Sequence, residues 1–251
     1  MDLSIIIPVL NESKKIRIDI EAAAQFLLEN NLSGEIIIAD DGSSDNTCEI
    51  ARQTPIEKSI KLHVLQATEH RGKGFALRQG FARSRGTFAM FADSGNTVPW
   101  ENALRGLGLI QQGTCPIAHG SRKLAESEIV IQQKRKRKVS SATFRFLMHH
   151  SLGIPATLTD TQCGFKIYQG EIARELYAQA QMDGFLIDIE IIILAMQQDL
   201  NIQEFAIQWR CDLDSRLALT TNFSQIYKEW RQLKRRFCGR KTKNKAKNQT
   251  I

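Results

Sequence analysis

The feature that most constrains the fold is a series of short, nearly continuous apolar runs. Each run is closed by polar residues and followed by a helical pattern, and the runs cover residues 3–9, 35–39, 61–66, 87–92 and 116–120. Runs that are apolar throughout, rather than alternating, are typical of strands buried on both faces of a parallel sheet. The sequence therefore predicts an α/β fold, with a mostly parallel central sheet and helices on both faces.

The segments between these runs carry helical signals. Four apolar residues recur at spacings of three and four after Ser13, which places them on one helix face and makes Ser13 the expected cap: Ile16, Ile20, Ala24 and Leu27. Further helices are expected near residues 45–53, 72–83 and 183–198, and after Pro99. Residues 202–209 alternate like one more strand.

Acidic residues follow three of the predicted strands. Glu12 follows the first strand, Asp40 ends the second and Asp93 closes the fourth. In open parallel sheets, ligands bind beyond the carboxyl ends of the strands. We therefore expect these three acids to share one cleft. The alternative is that Asp41 only makes a turn with Gly42 and that Asp45 caps a helix, which is the favoured interpretation for Asp45.

The chain of 251 residues is long enough, at 42% hydrophobic residues, for one large domain. Its positive charge is concentrated at the end. Residues 228–251 contain ten Lys or Arg and one acid, a net charge of +9, whereas the whole chain carries +7, which leaves −2 for residues 1–227. We expect a domain over 1–227 and a basic, partly disordered extension over 228–251.

Membrane contact is expected to be peripheral. No segment approaches the roughly 18 to 20 apolar residues that a membrane span requires. A basic run at 134–138 precedes an apolar stretch at 139–154, which suits an interfacial helix on an anionic membrane. The basic tail adds a second cationic signal, the alternatives being a solvated or a nucleic-acid-binding extension. Nucleic acid is not an expected partner, because no recognition motif is present. The five scattered cysteines form no C-x-x-C pair and fit a reducing cytoplasm.

Several motifs resemble the family-two glycosyltransferases, which have the GT-A fold. They are Ile-Pro-Val-Leu-Asn-Glu at 7–12 and Asp-Asp-Gly-Ser-Ser-Asp-Asn-Thr at 40–47. Gly-Ser-Arg at 120–122 and Asp-Thr-Gln-Cys-Gly-Phe-Lys at 160–166 are similar to the dolichyl-phosphate glucosyltransferase and mannosyltransferase branch. The resemblance covers roughly residues 3–210.

The resemblance implies inverting transfer of a hexose from a UDP-sugar or GDP-mannose to a polyprenyl phosphate, on the cytoplasmic face of a membrane. Lys73 lies at the start of a predicted helix, where free N–H groups meet a diphosphate well, the alternative being a solvated loop lysine. The nucleotide-sugar site is expected to include Pro8, Leu10, Glu12, Asp40, Asp41, Lys73 and Ala92.

The expected cofactor is Mg²⁺ or Mn²⁺. Family members usually bind the ion with an Asp-x-Asp motif, but here Phe91 replaces the first acid and only Asp93 remains, with Asn96 as a further candidate ligand. Oxygen ligands suit such ions, which neutralise charge on the leaving nucleotide. The missing acid also leaves open a non-catalytic relative that binds nucleotide sugars.

The acceptor decides which further groups the site needs. A phosphate is already ionised and needs cations, for which Arg122, Arg137 and Lys166 are the candidates. A hydroxyl on a glycan or glycolipid needs a general base, for which Asp188 or Asp160 would serve. Asp188 matches the Phe-Asp-x-Glu element of the branch. With Asp93 and Arg122, it completes the candidate catalytic set.

Overall fold

The computed structural model describes residues 1–131, 148, 150–210 and 223–238. Its main sheet has seven strands in the order β3-β2-β1-β4-β7-β5-β8. These strands are β1 (Leu3–Val9), β2 (Gly34–Asp40), β3 (Lys61–Gln66), β4 (Phe88–Ala92), β5 (Ile117–Ser121), β7 (Phe165–Gln169) and β8 (Ile202–Ala206). A separate parallel pair is formed by β6 (Glu128–Ile131) and β9 (Gln208–Arg210).

Seven α-helices lie wholly within the described residues. They are α1 (Ile16–Glu29), α2 (Thr47–Gln53), α3 (Lys73–Arg83), α4 (Asn102–Gln111), α5 (Gly170–Gln179), α6 (Ile187–Gln197) and α7 (Phe223–Leu233). A π-helical turn, Lys234–Cys238, continues α7. The predicted α/β fold with a mostly parallel sheet is confirmed.

Both faces of the sheet are buried, which explains the continuous apolar runs. On β1, Ile5 and Ile7 pack in the core that includes α1 and α4, whereas Ile6 points to the opposite core with α3, α5 and α6. On β4, Phe91 also belongs to that second core and is fully buried. Burying an apolar side chain of this size stabilises the fold by about 1.5–3 kcal/mol.

Two strands differ from the sequence prediction. β7 runs antiparallel between β4 and β5, although the chain reaches it only after β5 and β6. The single strand predicted over 202–209 is divided at Ile207, because β8 pairs with β5 whereas β9 pairs with β6. Side-chain alternation continues through such a switch of partners, so the pattern does not reveal it.

Helix α1 has the predicted buried face but not the predicted cap. Ile16, Ile20, Ala24 and Leu27 are all buried. The residue before the helix is Lys15, and no side chain caps it. The backbone N–H of Ser13 instead donates to Asp45, which ties the residue to the neighbouring loop.

The predicted boundary between residues 227 and 228 falls inside α7. Leu233 is fully buried, and Glu229 accepts a hydrogen bond from the Leu186 N–H at 3.0 Å. The helix therefore continues across the expected boundary, and Glu229 and Leu233 pack against the body of the protein. Residues 239–251 and the basic run at 134–138 lie outside the described residues. Within the described ranges, none of the helices has the length and apolar character to span a membrane.

Candidate active site

The carboxyl ends of three neighbouring strands form one edge of the sheet. β2, β1 and β4 are adjacent and parallel, with Val9 opposite Asp40 and Ile6 opposite Phe91. The loops that carry Glu12, Asp40 and Asp93 therefore leave the sheet at the same edge. Of the other expected donor-site residues, Pro8 and Leu10 are half-buried, and the side chain of Ala92 is buried at the end of β4.

The loops after β1 and β2 are tied together. Asn11, in a left-handed conformation with φ 55°, accepts a hydrogen bond from the Ser44 N–H at 2.8 Å and donates its own N–H to the Ser43 hydroxyl at 2.8 Å. Asp45 accepts from the Thr47 N–H at 3.1 Å, at the first residue of α2. The residue before α2 is Asn46, and no side-chain capping hydrogen bond is made there, so the cap expected from Asp45 is not found. Its carboxylate instead makes a turn with Thr47 and links the two loops through the Ser13 N–H.

Asp40 and Asp41 have different surroundings. One oxygen of Asp40 accepts the N–H groups of Gly42 and Ser43 at 3.1 and 3.0 Å, as a turn requires. Its other oxygen, Oδ1, is buried and meets no hydrogen-bond donor among the described residues. Asp41 accepts the N–H groups of Arg71 and Gly72, each at 2.9 Å. Asp41 thus holds the loop that leads to Lys73.

Lys73 begins α3 and reaches Asp93. Its Nζ lies 2.6 Å from Asp93 Oδ1. Gly72, at φ 133°, passes so close to the 182–184 segment that a Cβ would lie 2.4 Å from the Asp183 carbonyl oxygen. That carbonyl accepts the Phe75 N–H at 3.1 Å, so one of the helix's first N–H groups already has a partner. The lysine is an ion-paired residue of the site rather than a solvated one.

Asp93 also packs closely against Gly164. Its N–H donates to the Gly164 carbonyl at 2.9 Å, and a Cβ on Gly164 would lie 1.8 Å from Asp93 Oδ2. A glycine is required at 164 for this approach.

The side chains around Asp93 do not form a suitable set of ligands for a divalent cation. Neither Phe91 nor Gly95, two residues to each side of Asp93, has a carboxylate. The described residues contain no group of three or more acids, histidines or cysteines arranged to hold a metal. One oxygen of Asp93 is bonded to an ammonium group, which repels a second cation placed there. We therefore assign no step to a metal.

Asp19 is a site residue that the motifs did not reveal. From the buried face of α1 it accepts the Ser94 hydroxyl at 2.6 Å and the N–H groups of Gly95 and Asn96 at 3.0 and 3.1 Å. Burial, opposed by these hydrogen bonds, raises the pKa of Asp19 to about 6. The sequence signal that could have indicated this role is the position of Asp19 on the otherwise apolar face of α1. Asp19 positions the loop that follows Asp93.

Arg122 is held in a fixed orientation by Asp160. Its Nε and Nη2 donate to the two carboxylate oxygens at 2.6 and 2.7 Å, and its guanidinium lies 5.3 Å from the Trp209 ring centre. Glu204 in turn accepts the Asp160 N–H at 2.7 Å. Burial alone would raise the pKa of Asp160, but the hydrogen bonds and charge of Arg122 lower it. Bidentate pairing of this kind is both strong and geometrically specific.

Lys166 and Asp188 form a buried ion pair. Lys166 is fully buried on β7, where it bonds to the Asp188 carboxylate and donates to the Thr161 carbonyl at 2.9 Å. A phosphate at Lys166 would compete with Asp188 for the buried ammonium group. The third expected phosphate contact, Arg137, lies outside the described residues.

Cys163 lies at the centre of these groups. Burial raises the pKa of its thiol to about 12, and the charges of Arg122, Asp160, Lys166 and Asp93 all act on it. The expected catalytic residues Asp93, Arg122 and Asp188 each contact the segment 160–166, at Gly164, Asp160 and Lys166 respectively. Beside them, the Gln162 side-chain nitrogen is buried without a partner among the described residues.

A segment at 181–186 closes one side of the site. Glu190 accepts the N–H groups of Gln181 and Met182 at 2.9 and 2.7 Å and pairs with Arg236. Asp183 pairs with Arg71 at 2.8 Å and with Arg78. Because the acids and bases of this network are up to 112 residues apart, no local motif revealed it.

Comparison with known proteins gives consistent results. Residues 4–176 match the family model described as Glycosyl transferase family 2. The chain is 31% identical to the dolichyl-phosphate beta-glucosyltransferase of Saccharomyces cerevisiae, over 90% of this chain and 72% of that protein. It is 30% identical to the human dolichyl-phosphate beta-glucosyltransferase, over 82% of this chain and 67% of that protein.

Solved structures share the fold at lower identity. Glucosyl-3-phosphoglycerate synthase from Mycobacterium tuberculosis, in complex with Mn²⁺, UDP and glucosyl-3-phosphoglycerate, has a TM-score of 0.68 at 17% identity, covering 95% of this chain and 80% of that one. Mannosyl-3-phosphoglycerate synthase from Rubrobacter xylanophilus has a TM-score of 0.70 at 17% identity, covering 96% and 75%. The fold, the motifs and the relatives lead to one conclusion: the chain belongs to glycosyl transferase family 2, in the branch of the dolichyl-phosphate glucosyltransferases.

Proposed function

We propose that the protein transfers a hexose from a nucleotide sugar, a UDP-sugar or GDP-mannose, to a polyprenyl phosphate with inversion at the anomeric carbon. The sheet-edge acids support the donor class, and the name of the relatives, dolichyl-phosphate beta-glucosyltransferase, supports the polyprenyl-phosphate acceptor. The observation that carries the acceptor class is that Asp160 and Asp188 are each ion-paired.

The donor binds at the edge formed by β1, β2 and β4. Asp40 Oδ1, which accepts no hydrogen bond from the described residues, suits an N–H of the base. The Asp41-held loop brings Lys73 towards the diphosphate, where an ammonium group is a good partner for phosphate oxygens. Asp93 keeps that lysine oriented.

On the acceptor side, neither of the two candidate acids, Asp160 and Asp188, suits the role of general base. A hydroxyl acceptor needs a carboxylate with a pKa near the working pH. Asp160 is unsuited because Arg122 lowers its pKa and occupies both of its oxygens. Asp188 is unsuited because its carboxylate is buried against Lys166. A phosphate acceptor needs no base, since it is ionised already.

Arg122 orients the acceptor phosphate. Two of its nitrogens are used by Asp160, while its Nη1 makes no hydrogen bond to the residues that the structure describes. A phosphate oxygen placed there attacks the anomeric carbon as the bond from that carbon to the donor phosphate breaks. Direct displacement of this kind inverts the anomeric centre. The partly buried Gln162 amide offers a further donor to the sugar or the phosphate.

We place the reaction at the cytoplasmic face of an anionic membrane, as a peripheral protein. The basic run at 134–138 and the basic residues after 238 support this, since each basic residue near such a surface contributes about 1 kcal/mol. Residues 239–251 are proposed as the extension to the domain.

The function is tested with purified protein, vesicles containing polyprenyl phosphate, and labelled UDP-glucose, UDP-galactose, UDP-GlcNAc or GDP-mannose, each with and without Mg²⁺ or Mn²⁺. We expect label from one donor to enter the lipid phase. Polyprenol, which has a hydroxyl in place of the phosphate, is the matched acceptor control. Equal transfer to polyprenol would refute the phosphate acceptor, and binding without turnover under every condition would leave a non-catalytic nucleotide-sugar-binding protein.

A further inference from the structure

We infer that Lys73 supplies, at Asp93, the positive charge that Asp-x-Asp relatives obtain from a divalent cation, so that the transfer proceeds without added metal. This inference rests on the proposed function, because it concerns the charge that develops on the leaving nucleoside diphosphate. We draw it because the side chains around Asp93 do not form a suitable set of metal ligands.

The geometry at Asp93 is the first support. The Lys73 ammonium lies 2.6 Å from Asp93 Oδ1, in the position where a cation bound by this carboxylate would lie. The opposite oxygen is packed against Gly164. With no carboxylate at 91 or 95, Asp93 has no acidic partner two residues to either side.

The residue that replaces the acid is the second support. The Phe91 ring centre lies 5.0 Å from Lys73 Nζ and 5.8 Å from Lys166 Nζ. An aromatic face attracts cations without neutralising them. A carboxylate at 91 would instead bind one of the two lysines, so Phe91 leaves the charge of Lys73 available to a ligand.

The step is electrostatic and leaves Lys73 chemically unchanged. As the sugar is transferred, the bond between the anomeric carbon and the β-phosphate oxygen breaks, and its electron pair stays on that oxygen. A new bond forms from the acceptor phosphate oxygen to the anomeric carbon. The Lys73 ammonium stabilises the charge on the leaving diphosphate and retains its proton.

Nucleotide binding provides a test that is independent of turnover. UDP and GDP are titrated by calorimetry against the full-length protein in EDTA. We expect the preferred diphosphate to bind the wild type without metal and the Lys73→Ala variant about 10- to 100-fold more weakly, as loss of a charge-assisted hydrogen bond predicts. Lys58→Ala, which removes an exposed lysine beyond α2, is the control and should bind normally.

Turnover supplies the second readout. We expect equal wild-type transfer in EDTA and in Mg²⁺, and about a 100-fold loss in Lys73→Ala in EDTA, the cost of removing one stabilising donor. Lys73→Gln serves if the alanine variant unfolds, and Lys73→Arg should retain binding.

The two hypotheses fail differently. Wild-type binding of UDP and GDP that appears only with Mg²⁺ or Mn²⁺, or that Lys73→Ala leaves intact in EDTA, overturns the inference about Lys73. Metal-free binding that depends on Lys73, without transfer to any acceptor, upholds the lysine's charge role at the diphosphate and overturns the proposed function.

Discussion

The two halves of the site hold their charged groups in different ways. In the donor half, the carboxylates of Asp19, Asp40 and Asp41 accept backbone N–H groups of neighbouring loops. In the acceptor half, the carboxylates of Asp160 and Asp188 are paired with cations, in Arg122–Asp160 and Lys166–Asp188. Lys73–Asp93 lies between the halves, with the side chain of Asp93 37% exposed.

The difference separates two uses of acids. Carboxylates that bind backbone amides shape loops, and an oxygen left without a donor, as in Asp40, suits the N–H groups of a base. Carboxylates that bind Arg or Lys fix the direction of those cations but cannot act as bases. A ligand phosphate in the acceptor half therefore meets cations that are already oriented, at the cost of sharing them with internal acids.

The deeply buried Lys166–Asp188 pair gives the sharpest test of ion pairing in the acceptor half. Lys166→Met and Asp188→Leu, each alone, should reduce the free energy of unfolding by about 3–5 kcal/mol, because the remaining partner is a buried unpaired charge. The double variant should recover most of the loss. Urea denaturation measures all three. Additive losses in the double variant would show that the two groups are not held by each other.

Variants of Arg122 distinguish its role in orienting the acceptor from its role in stability. Arg122→Ala should lower kcat/KM for polyprenyl phosphate about 100-fold, as expected for a lost charge-stabilising donor. Arg122→Ala/Asp160→Ala should recover stability without recovering activity, since the buried acid is removed too. Arg17→Ala, on the exposed side of α1, is the control. Recovered transfer in the double variant would contradict an acceptor role for Arg122.

In the donor half, the pH dependence of stability tests the environment of the Asp19 carboxylate. Its pKa is about 6 in the folded protein and about 3.9 when unfolded, so ionisation costs more in the folded state. The stability of the wild type relative to Asp19→Asn should therefore fall by about 2–3 kcal/mol as pH rises from 4 to 7, and then level off. Denaturation of both proteins across this range measures it. A constant difference would mean that Asp19 titrates normally.

The smallest effect is expected where an ion pair is exposed. Arg71 and Arg78 share Asp183, but the side chain of Arg71 is 43% exposed and that of Arg78 is 20% exposed. Arg71→Ala should cost less than about 1 kcal/mol. Arg78→Ala should cost more, because Arg78 also donates to the Ala180 carbonyl at 3.0 Å. Equal losses in thermal unfolding would show that burial does not distinguish these pairs.

Much of the donor half was predictable because its signals are local. A buried strand followed by acids, as at Asp40 and Asp41, is contiguous in the sequence and indicates both the sheet edge and the site. Asp19 was missed because its partners Gly95 and Asn96 lie more than 75 residues away and contribute only backbone groups. The cap expected at Ser13 was wrong because that residue bonds to Asp45 on another loop.

The sequence by itself determined the α/β class, the strands that end in acids, and the family, since hydrophobic runs and short motifs are properties of neighbouring residues. Only the tertiary structure decided that β7 lies antiparallel between β4 and β5, that Lys166 is buried, and that Lys73 forms an ion pair with Asp93. The physical reason is that a charge's role depends on which opposite charge and how much water lie beside it. Those neighbours come from strands and helices far apart along the chain.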